Sequence, residues 1–245
     1  MSGANLKHVG EVAALSIYPV KSMRSIDVDG AHLGWQGLDG DRRYAFTHTG
    51  SLNGLPWVSA RQLPSLVTYQ PRFDTPESGG SGITVKCPDG RALCLRDSAL
   101  ADDIAGALGA PVHLMRLHRG AYDAMPLSLI TTRSIRTIAE QVGEELDAAR
   151  FRANIVIETA ITRPYPEEKW VGETLVFGQE GDRARVQVNR RDERCAIVNV
   201  NPDTGRPDLP VHRVIVGARR NFLGIYGSTQ RPGTIDVGAP VYLAT

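Results

Sequence analysis

The feature that most restricts the fold of this chain is its division into short strand-like runs by closely spaced Gly, Pro, Asp and Asn residues. Within these runs, Val, Ile and Tyr alternate with polar residues, which is the pattern of a half-buried strand. Few segments carry a helical pattern. The sequence therefore predicts a mainly β, mixed α+β protein whose sheets close or fold over on themselves.

The strand-like runs occur along the whole chain. One of them, GITVKCPDGRALCL (82–95), has a Pro-Asp-Gly turn at its centre and is typical of a β-hairpin. Its cysteines, Cys87 and Cys94, would then lie on partner strands. The other runs are EVAALSIYPV (11–20), RRYAFTHTG (42–50), FRANIVIE (151–158), ETLVFG (173–178), ARVQV (184–188), CAIVNV (195–200) and GTIDVGAPVYL (233–243).

Two segments are predicted to be helical. Residues 97–109 begin with an Asp-Ser pair that can cap a helix and end at Gly109, which can stop one. In residues 131–146, apolar residues recur at helical spacing, and Thr132 or Ser134 can cap the N-terminus.

The length of the chain allows one large domain or two small ones, because 245 residues, 42% of them hydrophobic, can bury a substantial core. An apolar strand gives way to an irregular segment over residues 117–127. We predict a boundary there, with an N-terminal domain at 1–118 and a C-terminal domain at 119–245.

The charge balance and the cysteine content restrict the partners and the compartment. Lys and Arg number 28 against 27 Asp and Glu, so the net charge of +1 gives no reason to expect nucleic acid or an anionic membrane as a partner. Three cysteines without zinc or iron–sulfur spacing indicate a reducing compartment. No apolar stretch approaches the roughly 18 residues of a membrane-spanning helix. We predict a cytoplasmic protein that binds neither nucleic acid nor membrane.

Several common catalytic motifs are missing from the sequence. There is no phosphate-binding G-x-x-x-x-G-K-[ST] loop, no dinucleotide-binding glycine pattern, and no H-E-x-x-H or H-x-H arrangement among the six histidines. The sequence therefore argues against a nucleotide-dependent or a zinc-dependent enzyme.

Basic and polar residues collect at the predicted strand ends. Arginine can bind phosphate through two parallel hydrogen bonds, lysine contributes a point charge, and serine contributes a neutral hydrogen bond. Such a set can clamp an anion, although strand ends are also where solvated charges commonly lie. The residues are Lys21, Ser22, Arg42, Arg43, Arg150, Arg152 and Asn154.

Cys195 stands in the stretch RDERCAIVNVNPDTGRPD (191–208), directly after Arg194 and near two further arginines. Adjacent cations lower the pKa of a thiol, and the thiolate is the form that attacks a substrate or binds a metal. A lone cysteine is also frequently a small buried hydrophobe, which is our interpretation of Cys87 and Cys94. Three interpretations of Cys195 stay open from these residues alone: a core thiol, a nucleophile or a metal ligand.

The segment RCAIVNVNPDTG resembles the pattern of MOSC-domain proteins of the type found in the mitochondrial amidoxime-reducing component and its bacterial relatives. In that pattern an Arg-Cys pair precedes a short apolar, hydroxyl-rich run and Asp-Pro-Asp-Thr-Gly. Further blocks resemble the family in the family's order: SIYPVKS, DGDRRYAF, LSLIT, FRANIVIE, WVGETLVFG and RPGTIDVGAPVYL. The resemblance covers nearly the whole chain. It implies an N-terminal MOSC-associated β-barrel-like region and a C-terminal MOSC β-barrel with a few helices.

The resemblance also implies a molybdenum cofactor, a pyranopterin that carries molybdenum, in the cleft between the two regions. Cys195 would be its metal ligand and a catalytic residue. A soft thiolate suits the metal, and Arg194 would help to keep the thiol ionised. As a property of the family only, the resemblance also implies pyridoxal phosphate binding. The cofactor-binding residues implied by position are Lys21, Ser22, Arg42, Ser128, Arg152, Asn154 and Arg194.

The activity implied by the resemblance is the reduction of N-hydroxylated compounds such as amidoximes, hydroxylamines and N-hydroxylated bases. The sequence has no cysteine cluster, haem motif or flavin fingerprint, so a separate protein of the ferredoxin, haem or flavin reductase type would supply the electrons. The alternative is a molybdenum cofactor or sulfur carrier protein, in which Cys195 holds a persulfide or hands the cofactor on. A barrel that has lost its activity is a third interpretation.

Two positions depart from the family's pattern. Asn199 stands where relatives usually have threonine or serine, and Asn201 stands where many have aspartate. A carboxylate that would handle protons beside the metal is therefore missing here. Asp203 is the nearest remaining candidate for a catalytic proton donor, although turn aspartates commonly bond their own backbone.

Overall fold

The computed structural model describes residues 6–50, 56–74, 82–179 and 183–244. Sixteen strands and three α-helices lie within these residues. The helices are α1 (Ser98–Leu108), α2 (Thr132–Val142) and α3 (Val211–Arg219), and no described helix has the length and hydropathy needed to cross a bilayer. The strands are β1 (Leu6–Ile17), β2 (Ile26–Val28), β3 (Gly30–Gly34), β4 (Gly37–Leu38), β5 (Tyr44–His48), β6 (Gln70–Phe73), β7 (Ile83–Lys86), β8 (Ala92–Cys94), β9 (Val112–Arg116), β10 (Leu127–Thr131), β11 (Ile155–Glu158), β12 (Thr174–Phe177), β13 (Arg185–Glu193), β14 (Phe222–Arg231), β15 (Gly233–Asp236) and β16 (Pro240–Ala244).

Seven of the strands close a barrel in the order β1, β11, β10, β14, β13, β12 and β16, after which β16 pairs with β1. Neighbouring strands are antiparallel except β10 and β11, which run parallel. Apolar side chains fill the barrel, among them Leu15, Leu129, Ile155, Val186 and Ile225, because inward-facing residues alternate with outward-facing ones along each strand. This closed barrel confirms the predicted mainly β fold.

A second apolar core lies in the N-terminal half of the chain. It is formed by the pair β5 and β9, the three-stranded sheet of β6, β7 and β8, and helix α1. Strand pairing joins this half to the rest, because β1 belongs to the barrel and β3 pairs with β15. The boundary between residues 118 and 119 stays a prediction.

Both predicted helices are present, with one correction. Asp97 caps α1 by accepting a backbone hydrogen bond, and Gly109 ends it with a left-handed φ of 73°. The cap of α2 is Thr131, whose side chain accepts from the backbone N–H of Ser134. The predicted caps, Thr132 and Ser134, are therefore wrong by one and three positions.

The segment CAIVNV is not the strand that its β-branched residues predicted. Residues Ala196–Asn199 form a 3₁₀ turn directly after Cys195. Val198 is buried in an apolar cluster with residues of α2 and α3, and Asn199 Oδ1 accepts a 2.7 Å hydrogen bond from the backbone N–H of His212 at the start of α3. Packing against α3 therefore overrides the local strand preference.

Candidate functional site

A cleft of about 310 Å³ lies at the ends of several strands. Its lining includes residues that follow β1 and β13 in the chain and residues that precede β11. Its volume is at the lower end of the range of small-ligand pockets, about 300–1,000 Å³. Both halves of the chain line it. Eight of the nine predicted site residues are in its lining: Lys21, Ser22, Arg42, Ser128, Arg152, Asn154, Arg194 and Cys195. Lining residues that the sequence did not predict include Ser59, Arg61, Tyr122, Asp123, Asp192 and Tyr226.

Two arginines of the cleft stack on one tyrosine ring. The guanidinium carbons of Arg42 and Arg152 lie 4.6 and 4.3 Å from the centroid of Tyr18. Arg42 is held by several further contacts: it pairs with the fully buried Asp41 and donates to Asn154 Oδ1 at 3.1 Å. It also donates to the carbonyl of Arg152 at 3.0 Å. Arg42 therefore already has its counter-ion within the protein.

Arg152 lacks such a counter-ion. Among the described residues, no carboxylate lies within ion-pairing distance of its guanidinium. Burial lowers the pKa of Arg152 to about 10, and the neighbouring Arg42 contributes to that decrease. A desolvated cation beside a second cation is a position that an anion would stabilise.

Lys21 and Ser22 follow β1 and are both buried. The Lys21 Nζ donates to the carbonyl of Ala121 at 2.9 Å and pairs with Asp123 Oδ1 at 2.8 Å. Burial lowers the pKa of Lys21, and Asp123 opposes that decrease. Ser22 Oγ accepts from the backbone N–H of Ala60 at 3.1 Å, which joins two segments of the N-terminal half that line the cleft.

Asn154 and Ser128 hold the cleft walls together. Asn154 Oδ1 accepts from the backbone N–H of Ser128 at 3.2 Å as well as from Arg42, and its Nδ2 donates to the carbonyl of Ser16. Ser128 Oγ donates to Asp192 Oδ2 at 2.7 Å. These side chains position their neighbours, because most of their hydrogen-bonding capacity is used inside the protein.

Three residues of the cleft have left-handed backbone, which is uncommon for residues other than glycine. The φ angles are 67° at Ser22, 49° at Arg42 and 50° at Arg152, and only three other described non-glycine residues share this conformation. Such conformations cost on the order of 1–3 kcal/mol each and concentrate at functional sites. Their placement is a separate indication that the cleft binds a ligand.

The three cysteines have different surroundings. Cys195 is partly buried and lies in the cleft lining, outside the apolar core clusters of the described residues. Cys87 is buried in the N-terminal core as predicted, but it follows the end of β7 and does not lie on the strand. Cys94 is exposed, so its interpretation as a buried hydrophobe is wrong. No described group of three or more His, Cys, Asp and Glu side chains is arranged to hold a metal ion.

Arg194 is buried, and its guanidinium is engaged with the protein itself. Its Nε donates to the carbonyl of Leu223 at 2.7 Å, and Nη1 donates to the carbonyl of Phe151 at 2.6 Å. Its Nη2 lies 3.0 Å from Asp192 Oδ2. The side chain thus fixes the segment that carries Cys195 to β14 and to the turn before β11.

Asp203, Asn199 and Asn201 are not part of the cleft lining. The Asp203 side chain is 67% exposed and pairs with Arg24 at 2.5 Å. Asn201 Oδ1 accepts the backbone N–H groups of Asp203 and Thr204, which forms the local turn. Asn201 therefore stabilises the local turn, and Asn199 bonds to the backbone at the start of α3.

Two of the predicted strand-end cations also have structural roles. Arg43 donates to Gln36 Oε1 and to the carbonyl of His118. Arg150 is buried and forms two parallel hydrogen bonds, of 2.8 and 2.7 Å, to the carboxylate of Asp208. The latter pair fastens the loop that follows the 3₁₀ turn.

Replacing Asp208 by asparagine is expected to lower the free energy of unfolding at pH 7 by about 2 kcal/mol, because it removes the charged partner of a buried arginine. Arg150 holds the pKa of Asp208 below its ordinary 3.8. The stabilisation is therefore present above that value and is lost as the pH falls through the lower folded-state pKa. Urea unfolding at neutral and strongly acidic pH measures this. Asp102→Asn, on the exposed face of α1, is the control; an Asp208 variant as stable as wild type at pH 7 would contradict the assignment.

Asp192 is a cleft residue that the sequence prediction missed. It lies on β13, but the alternation of Val186 and Val188 does not continue to it, because Arg190 is exposed and the register with β14 shifts between Val188 and Arg190. The resemblance instead indicated a carboxylate among the residues after Cys195. In the structure, the buried carboxyl of the cleft is Asp192, which lies three residues before Cys195.

Comparisons with known proteins agree with this architecture. The family model described as "MOSC domain" matches residues 90–242, and the model described as "MOSC N-terminal beta barrel domain" matches residues 9–124. The crystal structure of YuaD from Bacillus subtilis aligns with 98% of this chain and 99% of its own, with a TM-score of 0.54 and 14% identity. That likeness shows a shared fold.

The chain is also similar to curated proteins. It is 30% identical to mitochondrial amidoxime-reducing component 1 of Homo sapiens, over 97% of this chain and 84% of that protein. It is 26% identical to mitochondrial amidoxime reducing component 2 of Macaca fascicularis over the same shares. Molybdenum cofactor sulfurase of Drosophila grimshawi is 27% identical over 88% of this chain and 32% of the sulfurase.

Proposed function

The chain belongs to the MOSC domain family, and on that premise we propose that its cleft binds a molybdenum cofactor and reduces N-hydroxylated compounds. The observation that carries this proposal is that Cys195 shares the cleft with Arg152, a desolvated cation without an ion-paired carboxylate in the described part of the chain. A metal carried on an anionic organic molecule needs a soft ligand and cations. The names of the relatives, amidoxime-reducing components and molybdenum cofactor sulfurases, support the proposal.

The residues of the cleft fit a Mo-pyranopterin. Arg152, with Lys21 and Arg42 beside it, would hold the anionic end of the cofactor. Cys195 would be the metal ligand. Arg194 would act by positioning the segment that carries Cys195, because its guanidinium bonds to backbone carbonyls.

When bound, the cofactor supplies the two-electron chemistry that breaks an N–O bond. The cleft residues of both halves of the chain would hold it, and their partial burial would limit access of water. For an amidoxime, the balanced reaction is R–C(NH₂)=N–OH + 2 H⁺ + 2 e⁻ → R–C(NH₂)=NH + H₂O. A separate protein of the ferredoxin, haem or flavin reductase type supplies the electrons.

Replacing Arg152 by glutamine is expected to lower the molybdenum content of the purified protein by about tenfold, the lower end of what partners around a metal site contribute. The melting temperature should stay the same or rise, because the variant relieves the repulsion between Arg152 and Arg42. Elemental analysis and thermal unfolding measure the two effects.

The contrasting variant is Arg42→Gln, which leaves the fully buried Asp41 without its cation and should lower both cofactor content and stability. If Arg152→Gln retains the wild-type amount of molybdenum, Arg152 does not hold the anionic end of the cofactor.

A second candidate function is that of a molybdenum cofactor or sulfur carrier. It is favoured by the partly exposed Cys195 and by the similarity to molybdenum cofactor sulfurases, of which the chain spans about a third. A persulfide on Cys195, detected by mass spectrometry in protein that lacks molybdenum, would support the carrier. Molybdenum-dependent reduction of benzamidoxime would support the reductase.

A further inference from the structure

Asp192 is a buried carboxyl in the cleft wall that the function proposed above leaves unused. Its side chain is 2% exposed and lies near the end of β13. Oδ2 accepts from Ser128, whereas Oδ1 makes no hydrogen bond of regular geometry within the described residues. Tyr226 lies on the paired strand β14 opposite Arg190, two residues before Asp192, and its hydroxyl is close enough to lower the pKa of this carboxyl group. Asp192 and Tyr226 both line the cleft.

The groups that face Asp192 come from three elements. They are Arg194 on its own segment, Ser128 on β10 and Tyr226 on β14, with Arg42 farther away. Arg194 Nη2 is 3.0 Å from Oδ2 but forms no regular hydrogen bond among the described residues. Burial raises the pKa of Asp192, and the neighbouring cation and hydroxyl groups oppose this only in part. Burial also raises the pKa of Tyr226, which therefore stays neutral.

Of the other carboxyls near the cleft, two have cationic partners, and the exposed Glu193 in the lining accepts a hydrogen bond from Asn221 Nδ2. Asp41 pairs with Arg42, and Asp123, with a side chain that is 63% exposed, pairs with Lys21. Asp203 lies outside the cleft lining. Asp192 also lies beside Arg194, but in the cleft lining it is the carboxyl that is buried with one oxygen unpartnered among the described residues, and burial raises its pKa, as a general acid requires.

We propose that Asp192 and Tyr226 form a proton-delivery pair, in which Asp192 supplies the proton that Tyr226 passes to the oxygen leaving the substrate. This inference rests on the proposed reductase function. As the N–O bond breaks, two electrons from the donor protein reduce the substrate, and the Tyr226 proton joins the departing hydroxyl to form water. Asp192 reprotonates Tyr226 and is left as a carboxylate beside Arg194. Solvent then supplies one proton to the substrate nitrogen and one to Asp192.

The test compares wild type, Asp192→Asn and Tyr226→Phe as holoproteins, with benzamidoxime as substrate and dithionite as the electron source. Both variants are expected to retain molybdenum and to lose about a hundredfold in kcat, the lower part of the range for general acid catalysis. The wild-type kcat should fall as the pH rises through the Asp192 pKa, and this dependence should disappear in Asp192→Asn. Asp102→Asn, on the exposed surface of α1, should match wild type.

A second readout does not depend on turnover. Difference infrared spectra of wild type at mildly acidic and alkaline pH should contain the C=O stretch of a neutral carboxyl that Asp192→Asn lacks and Asp102→Asn retains.

The proton-delivery pair is refuted if no such band exists, or if the loaded Asp192→Asn variant keeps the wild-type kcat and pH profile. If wild type binds no molybdenum and reduces no amidoxime, the proposed function fails, and the infrared result still decides the protonation of Asp192. A purely structural role for Asp192 would lower molybdenum content or stability and leave the pH profile in place.

Discussion

Replacing Cys195 by alanine is expected to lower benzamidoxime reduction by more than about a hundredfold, because even the outer partners of a metal ligand contribute 10–100-fold. The fold should persist, since the side chain lies in the cleft lining outside the described core clusters. Steady-state assays with a chemical reductant, together with thermal unfolding, measure the two effects.

The matched control for that experiment is Cys94→Ala, which removes an exposed thiol on β8 and should leave activity unchanged. A Cys195→Ala protein with wild-type turnover would show that the thiol is not part of the reaction. Loss of folding instead of activity would show that Cys195 is a core residue.

The second large effect is expected at Gly224, on β14. Its φ is +79°, and an added Cβ would lie 2.7 Å from the carbonyl oxygen of Leu129 and 2.9 Å from Arg194 Nη2. Gly224→Ala should lower the free energy of unfolding by about 3 kcal/mol, since left-handed backbone alone costs roughly 1–2 kcal/mol and the overlap adds to it. The melting temperature should fall by roughly 6–12 °C. Displacement of Arg194 should also lower molybdenum content.

The same substitution at Gly217 is the control. Gly217 lies in the interior of α3, and an added Cβ there has no neighbour within 4 Å. Gly217→Ala should raise stability by about 0.5–1 kcal/mol, because alanine is the better helix former. If both alanine variants change the free energy of unfolding by the same amount, the close packing of Gly224 against Leu129 and Arg194 is contradicted.

The sequence indicated which cations lie near strand ends, and the resemblance singled out three of them as cofactor-binding residues. The structure brings these three, Lys21, Arg42 and Arg152, to the lining of one cleft. The direction of each side chain could not be predicted. Arg42 enters the cleft, whereas its neighbour Arg43 bonds to Gln36 on another side, because the left-handed backbone at Arg42 turns the chain between them.

The fold predictions failed where packing outweighs local propensity. Helix α3 has the sequence VHRVIVGAR, whose valines, isoleucine and glycine are weak helix formers. It forms because Val211 and Ile215 are buried in the apolar cluster that also contains Ile135 and Ile138 of α2. The same cluster holds Val198, which explains why the run after Cys195 is a 3₁₀ turn and not a strand.

The prediction of Asp203 as proton donor depended on a position within the resemblance and not on burial. Asp203 pairs with Arg24 at the surface, whereas Asp192 faces the cleft from β13. Alternation along β13 could not have identified Asp192, because the pairing register shifts between Val188 and Arg190 and again between Arg191 and Glu193. Its interaction with Tyr226 could not be read from the sequence, because it depends on the pairing of β13 with β14.

The measurement that tests the central claim most directly is elemental analysis of the purified wild-type protein and its Cys195→Ala and Arg152→Gln variants for molybdenum. The protein should come from cells that synthesise the cofactor. We expect close to one molybdenum per chain in wild type and a large loss in both variants. Folded wild-type protein without molybdenum, or variants that retain the wild-type amount, would contradict the assignment of the cleft as a cofactor site.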